Sequence, residues 1–367
     1  MRGPADQGGT PAIRRVALLS LEPWDQVWRR NQHLSTSLVE QGLVEHLLFV
    51  EPARRGGRLQ VRYPRPGITA LRPVQTVPNR LGGRHLTAAW LRRTVIRGAD
   101  VLWVNDAVLG ALCLRDDVPA LYDVTDDWRE FAGPARIRYA QRRAEDLLSR
   151  RARTVVCSDV LAQRWRDRYG MDPLVVPNAV DPADWATARP RQLPGPGPHV
   201  GYVGTLHPER LDVELVAAIA RSPSVGTLHL VGPDHLTDPD RQRLRVAGVH
   251  VHGAVPREDV PGWMLGCDVL VVPHRVTPFT MSLDAIKAYE YRAAGRPVVA
   301  TPTSGFQSLA DDGAAVVEAE AFVRTLAAVI DGTLTATPRS EPPTWDERAR
   351  ALAPLLSSRA WAGRAKS

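Results

Sequence analysis

The chain of 367 residues is too long for one ordinary hydrophobic core. Its composition, 44% hydrophobic and 24% charged, excludes wholesale disorder. It contains no apolar run of about 18 residues, the length of a membrane-spanning helix, and its three widely spaced cysteines exclude a disulfide framework. Residues 1–190 carry 29 Arg against 21 acidic residues, a net charge of +8, and the rest of the chain carries −1, which gives the total of +7. Because no nucleic-acid-binding motif accompanies these arginines, we exclude nucleic acid as a partner.

The first half alternates strand and helix patterns after a polar, Gly-rich start. Residues 1–11 lack the apolar centre of a signal peptide, so we interpret them as a disordered lead-in. Strands are predicted at residues 15–21, 46–52, 68–74, 99–106, 120–127, 154–159 and 173–180, and helices at residues 24–41, 86–97, 136–152 and 160–169. The basic residues 53–67, rich in Gly and Pro, are predicted to form a loop.

Proline accumulates over residues 181–199, where the periodicity ceases, and a second series follows. Its strands are predicted at residues 199–206, 227–232, 249–253, 268–273 and 297–302, and its helices at residues 212–221, 256–265, 282–294, 321–330 and 345–362. The α/β pattern predicts two Rossmann-like, doubly wound parallel-sheet domains that face a cleft. We place them at residues 12–185 and 199–340, with a linker at residues 186–198 and a C-terminal helix and tail at residues 341–367.

Residues 269–301 read as strand, loop, helix, Gly turn and strand. A helix that begins near Ser282 would direct unpaired N–H groups and the positive end of its dipole at a diphosphate. Its loop and first turn are therefore predicted to bind a phosphorylated donor, and they contain Thr280, Met281, Ser282 and Leu283. Thr280 and Ser282 would cap this helix or contact a phosphate oxygen.

Lys287 and Glu290 lie three residues apart, on one face of that helix. Lys287 is the only lysine besides Lys366, which lies in the tail. We expect Lys287 to neutralise phosphate charge and Glu290 to accept hydrogen bonds from ribose hydroxyls. The alternative is a salt bridge on a solvated helix face.

This segment resembles the donor site of the glycosyltransferases called family 4, or group 1, which have the two-domain GT-B fold. In that family two Glu residues with seven residues between them precede a stretch of Gly, a basic residue or Thr, Pro, Val and Val, and Glu290 with AAGRPVVAT at residues 293–301 is similar to the second part. Ser282 occupies the position of the first Glu, so the segment resembles a subgroup with Ser282, Lys287, Glu290 and Tyr291. Other similar stretches are EPWDQVWRRNQHLSTSLVEQG (22–42), LYDVTDDW (121–128), VPNAVD (176–181), GYVGTL (201–206) and HGAVPREDVPGWMLGCDVLVVP (252–273).

The resemblance implies transfer of a sugar from a nucleoside-diphosphate sugar to an acceptor hydroxyl, with retention of configuration and no cofactor besides the donor. It also implies that the C-terminal helix crosses back to the first domain. Arg210 would lie near the phosphates, and Gly253 and Val255 would frame the base through backbone groups. Gly204 and Thr205 follow a strand, where the missing side chain of glycine lets the backbone approach a ligand.

The first half supplies the candidates for the acceptor site. Asp126 ends a strand that should point into the cleft, where it would orient an acceptor hydroxyl or assist removal of its proton; capping of the next helix is the alternative. Asp126, Lys287 and Arg210 are thus the candidate catalytic residues. The candidate acceptor-binding residues are Trp24, Asp25, Trp28, Arg29, His33 and Asn105, of which the Trp and Arg residues suit a sugar or an anionic acceptor.

No His, Asp or Glu cluster has metal-ligand spacing, so we predict no metal site and expect cations and the helix dipole to stabilise the leaving diphosphate. The basic first half indicates peripheral contact with an anionic membrane, or an anionic acceptor, or a genome rich in G and C. We expect a cytoplasmic protein. Two other functions stay open, a sugar-nucleotide epimerase or phosphorylase on the same fold and a non-catalytic nucleotide-sugar-binding protein.

Overall fold

The structure is a computed structural model and describes residues 13–130 and 134–357. The predicted lead-in at residues 1–11, residue 12, Lys366 and the last residues of the helix predicted to reach residue 362 lie outside the described residues. None of the helices within the described ranges is both long and apolar enough to cross a bilayer. Cys113, Cys157 and Cys267 are buried free thiols.

The first half of the described chain begins with strands and helices in alternation. The strands are β1 (Ile13–Leu19), β2 (Val44–Val50), β3 (Arg54–Arg55), β4 (Gln60–Arg65), β5 (Ile68–Arg72), β6 (Val74–Gln75), β7 (Val101–Val104), β8 (Ala120–Val124), β9 (Arg153–Val156) and β10 (Leu174–Val175). The helices are α1 (Arg30–Glu40), α2 (Gly83–Thr94), α3 (Ala107–Cys113), α4 (Ala135–Arg151), α5 (Asp159–Tyr169) and α6 (Ala183–Ala186).

Eight of these strands form one sheet, in the order β10-β9-β8-β7-β1-β2-β5-β4. All neighbours are parallel except β4, which runs antiparallel to β5 at the edge. The central strands are short apolar runs buried along their whole length, such as VLWV of β7, as expected for a parallel sheet covered by helices. The strand order reverses between β1 and β7, so a crevice opens beyond their carboxyl ends.

The second half repeats this architecture. Its strands are β11 (His199–Val203), β12 (Thr227–Val231), β13 (His250–Gly253), β14 (Val269–Val272), β15 (Val298–Ala300) and β16 (Ala315–Val316). Its helices are α7 (Val213–Ala220), α8 (Asp238–Val246), α9 (Val260–Gly266), α10 (Ile286–Ala294), α11 (Ser304–Asp311), α12 (Ala319–Ile330) and α13 (Trp345–Leu356). The six strands form one parallel sheet in the order β13-β12-β11-β14-β15-β16, which reverses between β11 and β14.

The last helix, α13, returns to the first half. Its residues Trp345, Ala349 and Leu352 are buried in the same apolar cluster as Leu34 and Leu38 of α1. A capping box at Thr344 begins this helix. The prediction of two doubly wound domains with a C-terminal helix that crosses back is therefore confirmed. The domain boundaries themselves stay predictions, although residues 187–198 contain neither helix nor strand.

Two predictions about the first half are wrong. The helix predicted to start at Trp24 begins at Arg30, because the Trp24 N–H donates to the buried carboxylate of Glu51 (2.7 Å) and holds this stretch as a loop. The predicted loop at residues 53–67 contains strand β4, whose Arg62 forms an ion pair with Glu51. Both differences from the prediction involve the buried carboxylate of Glu51, which binds partners from separate parts of the chain.

The helix predicted at residues 282–294 also starts late, at Ile286. The residues before it form a 3-10 turn (Thr280–Ser282) and then an extended stretch. This segment bonds to the other half, since the carbonyl of Ser282 accepts from the Ser158 hydroxyl (2.9 Å) and the Asp284 carboxylate accepts from the backbone N–H of Asn178. These long-range contacts replace the first turn of the predicted helix. Helices α3, α6, α8 and α11 have no counterpart among the predicted elements.

Candidate active site

The carboxyl ends of the two sheets face each other across a cleft of about 780 Å³. Both halves line it, as expected for a site between doubly wound sheets. The predicted site residues that it brings together are Trp28, Arg29, His33, Asn105 and Asp126 from the first half and Gly204, Thr205, Arg210, Val255, Thr280, Leu283, Lys287 and Glu290 from the second.

Lys287 enters the cleft from the first turn of α10. Its Nζ donates to the hydroxyl of Tyr202 (2.8 Å) and lies 4.2 Å from the centroid of that ring. Gly204, just after β11, makes room for it, because a Cβ added there would lie 2.2 Å from the Lys287 Nζ. The ammonium thus stands beside a helix N-terminus at the carboxyl end of the sheet, an arrangement suited to an anion.

The Tyr202 hydroxyl that holds Lys287 is itself anchored. It lies 3.1 Å from Nε2 of His274 and 3.2 Å from the carbonyl of Thr205. Burial, then the charges of Lys287 and Arg210, lower the pKa of His274 well below its ordinary value, so the ring is neutral at neutral pH. A neutral His274 can accept the Tyr202 proton, which leaves the phenol oxygen as the acceptor for Lys287.

Glu290 lies one helical turn after Lys287 and lines the same cleft. Burial raises the pKa of Glu290 to about 7, although the nearby charge of Lys287 opposes the shift. Its interactions with the described residues are charge effects, with no hydrogen bond among them. This carboxylate therefore keeps its accepting capacity for a ligand. Since Lys287 bonds to Tyr202, the pair does not form the solvated salt bridge that was the alternative.

Arg210 and Asp126 meet across the cleft. The Arg210 Nη2 lies 3.6 Å from the Asp126 Oδ1, and the guanidinium carbon lies 5.5 Å from the ring centroid of Phe279. Asp126 also accepts from the hydroxyl of Thr125 (3.1 Å). A second carboxylate, Glu22, lines the same side of the cleft, and burial raises its pKa against the opposing charge of Arg29.

His33 of α1 lines the cleft next to Trp345 of α13. Its ring stacks on Trp345 with centroids 4.7 Å apart and planes inclined by 9°, and it meets the edge of Trp28 at 5.1 Å. Burial, and then the charge of Arg257, lower the pKa of His33 well below its ordinary value. The ring is thus neutral at neutral pH. Arg257 stacks over Trp28, with 4.2 Å between its guanidinium carbon and the ring centroid.

Three of the candidate acceptor-binding residues make contacts within the first half of the protein. Trp24 does not line the cleft, because it packs edge-on against Phe49 with centroids 5.1 Å apart. Asp25 also lies outside the lining, and its carboxylate accepts from the backbone N–H of Val27 (2.9 Å). Asn105 does line the cleft, but its amide accepts from Asn31 (2.8 Å). Trp24 and Asp25 therefore lie outside the residues that line the cleft.

Three donor candidates also lie outside the cleft lining, namely Gly253, Met281 and Ser282. Ser282 is fully buried, and its hydroxyl accepts from the backbone N–H of Asp127 (3.3 Å) in the first half. The Gly253 carbonyl accepts from the N–H of Gly232 (2.7 Å) and is thereby occupied. Met281 and Ser282 were predicted as ligands because the helix was expected to start at Ser282; it starts at Ile286, and Ser282 bonds instead to the first half.

Sequence reasoning missed Tyr202, His274, Glu22 and Arg257. The sequence pattern did not identify Tyr202 or His274 as site residues, because single polar residues are common within buried strands and loops. Glu22 could have been found by the rule that identified Asp126, because it too follows a strand whose carboxyl end faces the cleft.

Comparisons with known proteins agree with this geometry. The family model described as Glycosyltransferase Family 4 matches residues 27–184, and the one described as Glycosyl transferases group 1 matches residues 197–335. Over 105 residues the chain is 30% identical to TuaH of Bacillus subtilis (strain 168), which is named as a teichuronic acid biosynthesis glycosyltransferase. That match covers 28% of this chain and spans only 26% of the relative's length.

Solved structures are similar over nearly the whole chain. Sucrose-phosphate synthase of Thermosynechococcus elongatus has a TM-score of 0.69 and 18% identity, over 95% of this chain and 96% of that chain. HepE of Anabaena, in complex with UDP-glucose, has a TM-score of 0.64 and 17% identity, over 92% and 94%. At these identities the likeness shows the fold.

Two facing, doubly wound sheets with a returning C-terminal helix define a protein of the GT-B fold. The two family models match the two halves in succession and together cover most of the chain. The chain is therefore a glycosyltransferase of the GT-B fold, with a first half that matches the Family 4 model and a second half that matches the group 1 model.

Proposed function

We propose that the protein transfers a hexosyl group from a nucleoside-diphosphate sugar to an acceptor hydroxyl. The arrangement of Lys287 and Glu290 carries this proposal. The cation of Lys287 is fixed beside Gly204, and one helical turn away lies the carboxylate of Glu290, which makes no hydrogen bond to the described residues. Together they suit the diphosphate and the ribose of one nucleotide.

Charge stabilisation of the leaving group is the main chemical task of this site. Lys287 and Arg210 both line the cleft, and the N-terminus of α10 adds its partial positive charge. As the bond to the sugar breaks, these groups would stabilise the charge that develops on the diphosphate. We propose that the reaction needs no cofactor besides the donor and that it retains the configuration of the sugar, as the family resemblance implies.

The first half would bind the acceptor. Asp126 and Glu22 present carboxylates, and His33 presents a neutral ring, on the side of the cleft opposite the donor residues. Such groups can orient an acceptor hydroxyl. The likeness to TuaH and to HepE supports a UDP-sugar as the first donor to test and a cell-envelope polysaccharide, a glycolipid or a related glycoside as the product.

Turnover with and without an acceptor tests this proposal. The wild type is incubated with UDP-, GDP-, ADP- and dTDP-glucose, with and without a mixture of monosaccharides and lipid-linked sugars, and products are identified by mass spectrometry. We expect an acceptor-dependent glycoside from one donor, at a rate about 100-fold lower in Lys287→Met. Arg221→Ala, which changes an exposed cation outside the cleft, is the control.

Two results would contradict the transferase. Conversion of the sugar nucleotide that does not depend on an acceptor would identify a hydrolysing or epimerising enzyme. Binding of a nucleotide with no turnover under any condition would identify a non-catalytic binding protein.

A further inference from the structure

Four histidines lie close together on three neighbouring strands of the second sheet, β11, β12 and the edge strand β13. His199 begins β11, His229 lies in β12, and His250 and His252 lie in the edge strand β13. The register pairs His229 with His250 of β13, so these two side chains point to the same face of the parallel sheet. On the other side His229 pairs with Gly201 of β11. His252 lies two residues after His250, and His199 two residues before Gly201, which places both on this face as well.

The ring nitrogens are close enough to share a ligand. One nitrogen from each of His229, His250 and His252 lies within 4.8 Å of the others. Nδ1 of His229 is 3.0 Å from Nε2 of His252, and Nε2 of His229 is 3.1 Å from Nδ1 of His199. In a tetrahedral zinc site with Zn–N bonds of about 2.0–2.1 Å, ligand nitrogens lie about 3.3 Å apart. Small side-chain rotations therefore suffice to bring three imidazoles onto one ion.

An aromatic ring covers one side of the cluster. The ring of His252 lies 4.4 Å from that of Trp263, and the guanidinium carbon of Arg191 lies 4.6 Å from the Trp263 ring centroid. Neutral imidazole is the form that binds transition metals, so binding of an ion should release any proton held by the cluster.

His199 occupies the position of an outer partner. A metal-bound histidine usually donates its other ring N–H to an acceptor, which fixes its tautomer and orientation. If Nδ1 of His229 binds the ion, its Nε2–H donates to Nδ1 of His199. His229 is fully buried, whereas His250 is exposed, so the site has a rigid inner ligand and an opening to solvent.

This cluster is separate from the cleft. The donor residues lie beyond the carboxyl ends of the strands, at Gly204, whereas His199 is the first residue of its strand. None of the four histidines lines the cleft. An ion here would fasten the edge strand β13 to its neighbour β12 and would not take part in glycosyl transfer.

We propose that His229, His250 and His252 form a binding site for a divalent transition-metal ion of the zinc type, with His199 as the outer partner of His229. The remaining coordination position would be held by water. Sequence spacing did not indicate the site, because its ligands come from two strands and only the sheet register brings them together.

Metal titration of the untagged full-length chain, after removal of bound metal with a chelator, tests this proposal. Zn²⁺ is followed by calorimetry, and Co²⁺ by its visible absorption. We expect one ion per chain in the wild type, with affinity at least about ten-fold lower in His250→Ala and in His252→Ala and a smaller loss in His199→Ala. The exposed His46→Ala and His85→Ala serve as controls and should bind like the wild type.

His250 is exposed, so its replacement should leave the fold intact, and circular dichroism checks this. Zn²⁺ should raise the thermal unfolding temperature of the wild type but not of His250→Ala. No binding by the folded wild type, or equal binding by His250→Ala and the controls, would show that the cluster is only a chain of hydrogen-bonded imidazoles.

Discussion

The Nη2 of Arg210 lies 3.6 Å from the Oδ1 of Asp126, and this ion pair joins the two halves of the molecule across the cleft. Solvent reaches both side chains, so the pair contributes less than about 1 kcal/mol. Arg210 can therefore exchange the carboxylate for a diphosphate, which accepts stronger charge-assisted hydrogen bonds. That exchange would also release Asp126 toward the acceptor.

Arg210→Ala should lower kcat/KM for the nucleotide sugar by about 100-fold, because it removes a donor to the charge that develops on the leaving group. The free energy of unfolding should change by less than about 1 kcal/mol. Steady-state kinetics and urea unfolding measure the two quantities, with Arg221→Ala as the exposed control. Wild-type turnover in Arg210→Ala would show that the residue is only a surface partner of Asp126.

Gly204→Ala should weaken nucleoside-diphosphate binding at least ten-fold, because the new Cβ would displace the Nζ of Lys287, which lies 2.2 Å from its position. Gly248 also has a positive φ, but a Cβ added there meets no atom within 4 Å. Gly248→Ala is thus a matched control that adds backbone strain of about 1–3 kcal/mol without displacing Lys287. Calorimetry should show weak binding only in Gly204→Ala. Equal loss in both variants would attribute the effect to strain.

The stability of the protein should depend on pH through Glu290. Folding raises the pKa of this carboxyl from 4.5 to about 7, so the folded state binds more protons than the unfolded state between these values. The resulting stabilisation is complete below pH 4.5 and is lost as the pH rises through 7. Relative to Glu290→Gln, the wild type should lose about 2–3 kcal/mol of unfolding free energy between pH 5 and 8. Parallel pH profiles of the two proteins, measured by urea unfolding, would contradict this assignment.

Asp123→Asn should destabilise the fold strongly. Asp123 and Arg30 form a buried ion pair, with the Arg30 Nε 3.0 Å from one carboxylate oxygen and 3.2 Å from the other. Removing one charge leaves the other buried without compensation, at a cost of about 3–5 kcal/mol. Glu40→Gln, which breaks the exposed pair with Arg65 (2.9 Å), should cost less than about 1 kcal/mol. Similar midpoints of urea unfolding for the two variants would contradict the difference.

The sequence predicted the parts of the molecule that local patterns determine. Buried apolar runs marked the central strands, and the rule that ligands bind beyond carboxyl ends placed Lys287, Glu290 and Asp126 at one cleft. The start of α10 could not be predicted, because the contacts of Ser282 with Ser158 and Asp127 cross between the halves. Helical periodicity contains no information on such long-range bonds.

The histidine cluster is a second feature that local sequence patterns could not predict. His229 and His250 are far apart in the sequence and match no metal-binding motif, yet the register of β12 and β13 places them side by side. Register depends on how the strands pair, which a single sequence does not reveal.

Calorimetric titration with UDP, GDP, ADP and dTDP tests the central claim, a nucleotide site on the second half, most directly. The wild type is compared with Glu290→Ala and with Glu214→Ala, a change of an exposed glutamate in the same half. We predict that the wild type and Glu214→Ala bind one of these nucleotides equally well, and that Glu290→Ala binds it at least ten-fold more weakly, because the ribose loses its acceptor. Equal affinity in Glu290→Ala, or no binding by the folded wild type, would contradict the account.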